Sequence, residues 1–253
     1  MVADERWQIV PKVIDASMAR DAREAVWPLI ADWITKLLDY PGFREWKNES
    51  LKRKLLFAAW PQVPSEPLHD FIFDKITLER HALVSGYNHL VSAALDCRAV
   101  TNYFRRYPFR NLSITRQDHL RTCCELYFTR TYQFKERWEK HIKQIARRTR
   151  ATDINLQSLV TQINDRLKIE IAARNAVHHE AAYSDFELDA LGTSDLLDDF
   201  GSMPVGMSSV DYHQISRRWQ RNVERTADTL DHFVGVSAVI MLAKCAFLSP
   251  TTD

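Results

Sequence analysis

Residues 21–38 read DAREAVWPLIADWITKLL, and this stretch decides the class of fold. Most of its apolar side chains recur at three- and four-residue intervals, the spacing that places side chains on one face of an α-helix. The recurring positions are Ala22, Val26, Trp27, Ile30, Trp33, Ile34, Leu37 and Leu38. Pro28 interrupts the pattern, so it either kinks the helix or lies in its first turn. The stretch predicts a helix from Ala16 that stops at Tyr40-Pro41-Gly42.

The same period continues outward through the chain and predicts further helices. They cover Phe43 to about Trp60, near Pro67 to Tyr103, about Thr115 to Arg148, a segment opening at Thr152-Asp153 and reaching Ile171, and about Ser209 to Phe247. The acidic stretch beyond Tyr183 is predicted to be a mobile loop or lid. The 6 glycines leave few residues for hairpin turns. The predicted fold class is therefore all-α, a helical bundle.

The 253 residues are enough for a full-sized core. Residues 1–110 are predicted to form an N-terminal helical region, either separate or part of the same domain. Residues 111–253 are predicted to form the main helical bundle. One domain with peripheral helices is the favoured arrangement.

Charge and cysteine content narrow the classes of function. The 34 basic and 33 acidic residues leave a net charge of +1, so no overall field favours nucleic acid or a membrane surface. No signal peptide is recognisable, and the apolar run 233–243 is shorter than the ~20 residues of a bilayer span. Four cysteines without CxxC spacing predict buried, reduced thiols in a cytoplasmic protein. No membrane contact, cofactor or metal is predicted.

The polar residues that stand out are 174–179, RNAVHH. On an ideal helix Arg174 and His178 lie about 40° apart, as do Asn175 and His179, whereas Arg174 and His179 lie about 140° apart. The apolar stripe that runs through Leu167 reaches these charged positions at the same spacing. Since burying charge is costly, this end of the stripe is expected to open onto a cleft or an interface.

Two other interpretations of these residues remain open. In the first, Arg174 pairs with Glu170 at i, i+4 spacing and the histidines occupy polar ends of the bundle. In the second, His178, His179 and Glu180 bind a metal. The metal interpretation is less favoured because adjacent side chains on a helix diverge and no third ligand is evident.

Arg174-Asn175, three residues and then His179, in a helical chain, resembles the signature of HEPN domains, the higher eukaryotes and prokaryotes nucleotide-binding family. The resemblance implies a bundle of four or five helices and a symmetric homodimer whose motifs face each other across a cleft. It also implies metal-independent endoribonuclease activity, commonly in toxin–antitoxin or antiviral defence systems, with an antitoxin or regulatory protein as partner. Its functional set is Arg174, Asn175 and His179, with His178 as a supporting residue.

These residue types suit RNA cleavage on chemical grounds as well. RNA carries its own nucleophile, the 2′-hydroxyl, so the enzyme must supply a proton acceptor, a proton donor and positive charge. Histidine exchanges protons near neutral pH, and arginine offers a planar fork that matches phosphate oxygens. A dimer would bring together Arg174 and His179, which diverge within one helix.

Local basic clusters are the candidate RNA-binding surfaces. From Arg130 to Arg150 there are eight basic residues against two acidic ones, including Arg147 and Arg148. Residues 103–110 interleave aromatic side chains with arginines, among them Arg105 and Arg106. Arg217 and Arg218 begin the last helix. Solvated helical faces and core aromatics beside surface arginines are the competing interpretations. The acidic stretch from Asp185 to Asp199 is a candidate for occupying the basic cleft and restraining activity.

The leading hypothesis is a dimeric ribonuclease acting on RNA and leaving 2′,3′-cyclic phosphate ends. The first alternative is a non-catalytic HEPN-like module that binds nucleotides or a protein partner. The second is a purely structural all-α protein in which the motif arose by chance.

Overall fold

A computed structural model describes residues 14–60, 69–105, 114–179, 182–199 and 211–248, with only the backbone at 178–179 and 198–199. Every regular element in these ranges is helical, which confirms the all-α fold class. The α-helices are α1 (Ala16–Leu38), α2 (Phe43–Ala59), α3 (Lys75–Ala99), α4 (Arg116–Thr149), α5 (Leu156–Arg166), α6 (Lys168–His179), α7 (Phe186–Asp199) and α8 (Tyr212–Lys244). Two 3₁₀ helices follow α3 and α8, at Val100–Arg105 and Ala246–Leu248.

Helices α1, α3, α4 and α8 share one hydrophobic core. Helices α4 and α8 run in the same direction, because His119 contacts Tyr212 and, further along both helices, Trp138 contacts Phe233. Helix α1 approaches α8 closely at Gly235, where an added Cβ would lie 2.4 Å from the backbone oxygen of Ala19. Helices of the N-terminal 110 residues therefore contribute to the same core as α4 and α8.

Helix α8 is the most deeply buried element, with residues 233–241 all buried. Its length and composition would allow it to cross a membrane, since an 18-residue window has a mean hydropathy of 1.2. However, 67% of that window is buried inside the fold. The core helix of a globular protein satisfies the same criteria, so length and composition are weak evidence for a span.

The predicted start of the third helix, near Pro67, is wrong. The described residues 69–74 are not helical, and α3 begins at Lys75. Asp74 caps it by accepting hydrogen bonds from the backbone amides of Ile76 and Thr77. Phe71, which falls within the range predicted for this helix, instead packs in the preceding segment against Phe43 of α2.

The helix predicted from Thr152-Asp153 to Ile171 and beyond is two helices. Asn155 is the N-cap of α5, accepting a hydrogen bond from the Ser158 amide, and the helix ends at Arg166. Leu167 lies between α5 and α6 and is 1% exposed. Leu167 faces the core whether the segment forms one helix or two. The apolar spacing therefore continues across this junction, and the spacing alone did not reveal the break.

The acidic stretch beyond Tyr183, predicted to be a loop or lid, contains helix α7. Asp185 accepts a hydrogen bond from the amide of Leu188, a capping contact, and Leu188 and Leu191 are completely buried. The many acidic residues of this stretch obscured a short apolar stripe in the sequence. The predicted burial of all four cysteines is confirmed, and the thiols are unpaired.

Candidate functional site

Helix α6, which carries the RNAVHH residues, is held to the core by a buried polar contact. The Glu170 carboxylate accepts hydrogen bonds from the Tyr127 hydroxyl of α4 at 2.7 Å and the Thr226 hydroxyl of α8 at 3.0 Å. The two hydroxyls are themselves 2.7 Å apart. Burial and the nearby Glu170 raise the pKa of Tyr127, so its hydroxyl stays protonated and donates. This contact fixes the start of α6 against α4 and α8.

One turn further along α6, the Arg174 guanidinium lies over the ring of Tyr132, with its Cζ 4.2 Å from the ring centroid. A cation in this position is attracted by the electrons of the ring face. Its Nη1 also donates a hydrogen bond to the side-chain oxygen of Asn175, at 3.3 Å. Within the described ranges Arg174 forms no ion pair with a carboxylate. The guanidinium is therefore oriented by neutral partners, and no acidic side chain of the described residues pairs with its positive charge.

The alternative pairing of Glu170 with Arg174 is not formed. Glu170 is turned toward the hydroxyls of Tyr127 and Thr226, whereas Arg174 contacts Tyr132. The i, i+4 spacing made the pair plausible, but buried hydroxyl donors compete better for the carboxylate than a half-exposed arginine.

The two histidines lie at the C-terminal end of α6, where all positions from 174 to 179 are helical. Helical spacing therefore places the backbone of position 179 on the same side as Asn175, which is exposed. The side chains of His178 and His179 lie outside the described residues. Their assignment as principal and supporting histidine stays a prediction.

The predicted RNA-binding arginines separate into two groups. Arg105 and Arg217 are exposed and close together in the fold, because the Phe104 carbonyl accepts hydrogen bonds from Ser216 and Gln220. Arg218 is half-buried and pairs with Asp185 at 3.2 Å and Glu187 at 2.6 Å, both at the start of α7. Arg106 lies outside the described residues.

The second group, Arg147 and Arg148, lies in the last turn of α4. Sixteen residues separate Tyr132 from Arg148, so these arginines are about 24 Å along the helix from the contact with Arg174. Arg147 is exposed, whereas the Nε and Nη1 of Arg148 are buried without a hydrogen-bond partner. Arg147 and Arg148 therefore do not lie beside Arg174, although they are on the same helix as Tyr132.

No family model matches the chain, and no curated protein or solved structure matches it.

One further polar cluster was not anticipated from the sequence. His119 of α4 contacts the Cys123 sulfur at 3.7 Å and the Tyr212 hydroxyl at 3.0 Å. Burial raises the pKa of Cys123 to about 11, so the thiol stays protonated and is a poor nucleophile. The four-residue spacing of His119 and Cys123 is visible in the sequence, but the approach of Tyr212 depends on tertiary packing. Among the described side chains, no group of three histidine, cysteine or acidic residues is arranged to hold a metal ion.

Tyr132, Tyr127 and Thr226 are the residues that sequence reasoning missed at the site itself. They come from α4 and α8, 42 or more positions away from the residues they contact. No local pattern distinguishes them from the other polar residues of these helices.

Proposed function

We propose that this protein is a metal-independent endoribonuclease whose active site is built on Arg174, Asn175 and His179, in the manner of HEPN domains. The observation that carries the proposal is the orientation of Arg174, whose guanidinium lies on the Tyr132 ring beside an exposed Asn175. An arginine positioned without a carboxylate partner among the described residues is suited to bind a phosphate.

The reaction that fits these residues is transesterification of RNA. A histidine accepts the proton of the 2′-hydroxyl, the 2′-oxygen bonds to phosphorus, and the bond to the 5′-oxygen breaks. A second histidine donates a proton to that 5′-oxygen, which leaves 2′,3′-cyclic phosphate and 5′-hydroxyl ends. Arginine stabilises the negative charge that develops on the phosphoryl oxygens. The two histidines are assigned as His179 from each of two subunits, with His178 in support.

A homodimer is part of the proposal, and the outer surface of α6 supports it. Ile169 is 79% exposed, and Ala172 and Ala176, also exposed, lie beside it on the helix. Small apolar residues allow two helix backbones to approach closely, and burying this strip would bring two copies of the motif together.

The decisive experiment incubates the purified protein with RNA in the presence of EDTA, next to the variants Arg174→Ala, His179→Ala and His178→Ala. We expect the first two variants to lose at least about a hundredfold in cleavage rate. His178→Ala is the matched neighbour, and a smaller loss is expected for it. Cleavage that persists in Arg174→Ala and His179→Ala would rule out this active site, and loss of wild-type cleavage on chelation would rule out the metal-free mechanism.

Mixing subunits tests whether the site is shared. A mixed dimer of one wild-type and one His179→Ala subunit holds one intact His179 and both copies of Arg174. Since the proposed reaction uses His179 of both subunits, we expect co-expressed, doubly tagged mixed dimers to lose as much activity as the His179→Ala homodimer. Mixed dimers with about half the wild-type activity would contradict the shared site and indicate that each subunit carries a complete one.

A non-catalytic module that binds a protein partner is the second candidate, and helix α2 favours it. Leu51, Leu55, Phe57 and Trp60 in and after this helix are all more than half exposed. Such residues commonly take part in protein contacts. Absence of cleavage of any RNA, with the protein correctly folded, would favour this candidate over the ribonuclease.

A further inference from the structure

One end of the bundle contains an open pocket of about 260 Å³. It lies where α3 begins and α4 and α8 end. Its walls combine apolar and cationic side chains, including Leu83, Phe247, Arg80, Arg148 and Lys244. Glu79 is the acidic residue in its lining. The pocket therefore has three cationic groups against one acidic group.

The cationic residues of this pocket differ in how they are satisfied. Lys244 pairs with Asp153, and the Arg80 guanidinium lies over the Phe247 ring at 5.5 Å. Arg148 has neither type of contact with any described residue: its Nε and Nη1 are buried and donate no hydrogen bond within that part of the chain. Buried donors without an acceptor cost free energy, more so on a charged group. The unused hydrogen-bonding capacity of Arg148 thus lies at the wall of a cationic pocket.

A structural role for these cations is the competing explanation. Basic residues near helix C-termini stabilise the exposed carbonyl groups there, and Arg148 and Lys244 lie in the last turns of α4 and α8. That role explains the charges but not the buried Nε and Nη1, which bond to no carbonyl group. An acceptor from outside the chain accounts both for the positive charges and for the buried Nε and Nη1 without a partner.

We propose that this pocket binds a small phosphate-bearing anion, with Arg148 as its principal ligand. Rotation of the Arg148 side chain presents two parallel N–H groups to the pocket, the arrangement that matches two phosphate oxygens. Arg80 and Lys244 add positive charge, and Phe247 with Leu83 forms an apolar wall beside the anion. Arg148, predicted from the sequence to contact an RNA backbone, is here assigned to a bounded pocket instead.

The site is distinct from the proposed ribonuclease centre, because about 24 Å of α4 separates Arg148 from Tyr132. Binding at either site can therefore fail independently of the other. To exclude phosphate binding at Arg174 as the source of the signal, every titration is repeated in an Arg174→Ala background.

The test is calorimetric titration of the full chain with inorganic phosphate and, separately, with AMP, at constant ionic strength set with chloride. We expect saturable binding of phosphate by the wild type and by Arg174→Ala. Arg148→Gln is expected to bind at least about tenfold more weakly, since hydrogen bonds to a charged group are lost. Arg147→Gln, the same change at the neighbouring exposed position outside the pocket, is expected to bind as the wild type does.

Glu79→Gln provides a test in the opposite direction. It removes the acidic group from the lining, so phosphate is expected to bind more tightly, and this gain cannot result from misfolding. AMP that binds more tightly than inorganic phosphate would identify a nucleotide monophosphate as the ligand class, whereas equal affinities would identify the free anion. The proposal is overturned if Arg148→Gln retains wild-type affinity, if Arg147→Gln weakens binding equally, or if the wild type shows no saturable binding. An effect of Arg148→Gln on single-stranded RNA but not on phosphate would return this residue to an RNA-binding surface.

Discussion

The Cζ of Arg174 lies 4.2 Å from the centroid of the Tyr132 ring, which places the guanidinium of α6 directly over an aromatic side chain of α4. The contact orients the arginine without neutralising it. Glu170, one turn earlier, is occupied by Tyr127 and Thr226 and does not compete for it. Among the described residues, no carboxylate therefore pairs with the Arg174 guanidinium.

Substitutions at Tyr132 should distinguish the contribution of its aromatic ring to RNA cleavage from that of its hydroxyl. Tyr132→Phe keeps the aromatic face and is expected to retain most RNA cleavage. Tyr132→Leu removes the face, so Arg174 loses its orientation and the cleavage rate is expected to fall on the order of tenfold. Single-turnover rates measure the effect, and thermal unfolding verifies that both variants are folded. Equal rates for the two variants would show that the ring does not position Arg174.

The contact of Glu170 with Tyr127 and Thr226 should stabilise the fold measurably. Tyr127→Phe removes a buried hydroxyl and leaves Glu170 with one donor fewer, so the free energy of unfolding is expected to fall by about 1–3 kcal/mol. Urea denaturation measures this change. The matched control is Tyr103→Phe at an exposed tyrosine, for which a change below about 0.5 kcal/mol is expected. Similar small changes in both variants would mean that the contact contributes little.

His141 should make the protein less stable in acid. It is 2% exposed and packs against Gly86, and neither ring nitrogen has a hydrogen-bond partner among the described residues. Burial lowers the pKa of His141 from 6.5 to about 4. Between these values the unfolded chain binds a proton that the folded chain does not, so stability falls as the pH drops through this window, by up to about 3 kcal/mol.

Unfolding measured between pH 7 and pH 4 tests the role of His141. His141→Leu is expected to lose less stability over this range than the wild type, whereas His89→Gln, at an exposed histidine, should follow the wild type. An identical pH dependence in His141→Leu and the wild type would assign the acid sensitivity to other groups.

The ion pairs between α7 and Arg218 should restrain RNA binding if the ribonuclease proposal holds. Deleting α7 would expose the core around Leu188 and Leu191, so neutralising substitutions are the better test. The double variant Asp185→Asn with Glu187→Gln releases Arg218, and asparagine preserves the cap of α7. We expect tighter RNA binding and faster cleavage, measured by fluorescence anisotropy and by cleavage rate.

Asp189→Asn is the control for this prediction, because Asp189 carries the same charge on the same helix but contacts Ser184 and no arginine. An increase of equal size in this variant would indicate a general charge effect. An unchanged rate in the double variant would remove the idea that α7 restrains activity.

Helix boundaries were predictable where strong local signals exist. The helices at Ala16–Leu38, Phe43–Ala59 and Arg116–Thr149 lie within one or two residues of their predicted limits, because a cap or a Pro-Gly turn marks their ends. The break at Leu167 and helix α7 were missed. Leu167 faces the core whether the segment is one helix or two, so periodicity does not reveal the break, and in α7 the acidic residues outnumber a short apolar stripe through Leu188 and Leu191.

The sequence by itself determined that the chain is helical and that Arg174, Asn175 and the two histidines share one helix, because the spacing of apolar and polar residues along a helix is a local property. Tertiary structure decided what surrounds them. It directed Glu170 to Tyr127 and Thr226, placed Arg174 on Tyr132, and placed Arg148 at the wall of a pocket, about 24 Å along α4 from Tyr132. These contacts join side chains from helices far apart in the chain, and they form only when the shared core fixes how the helices pack.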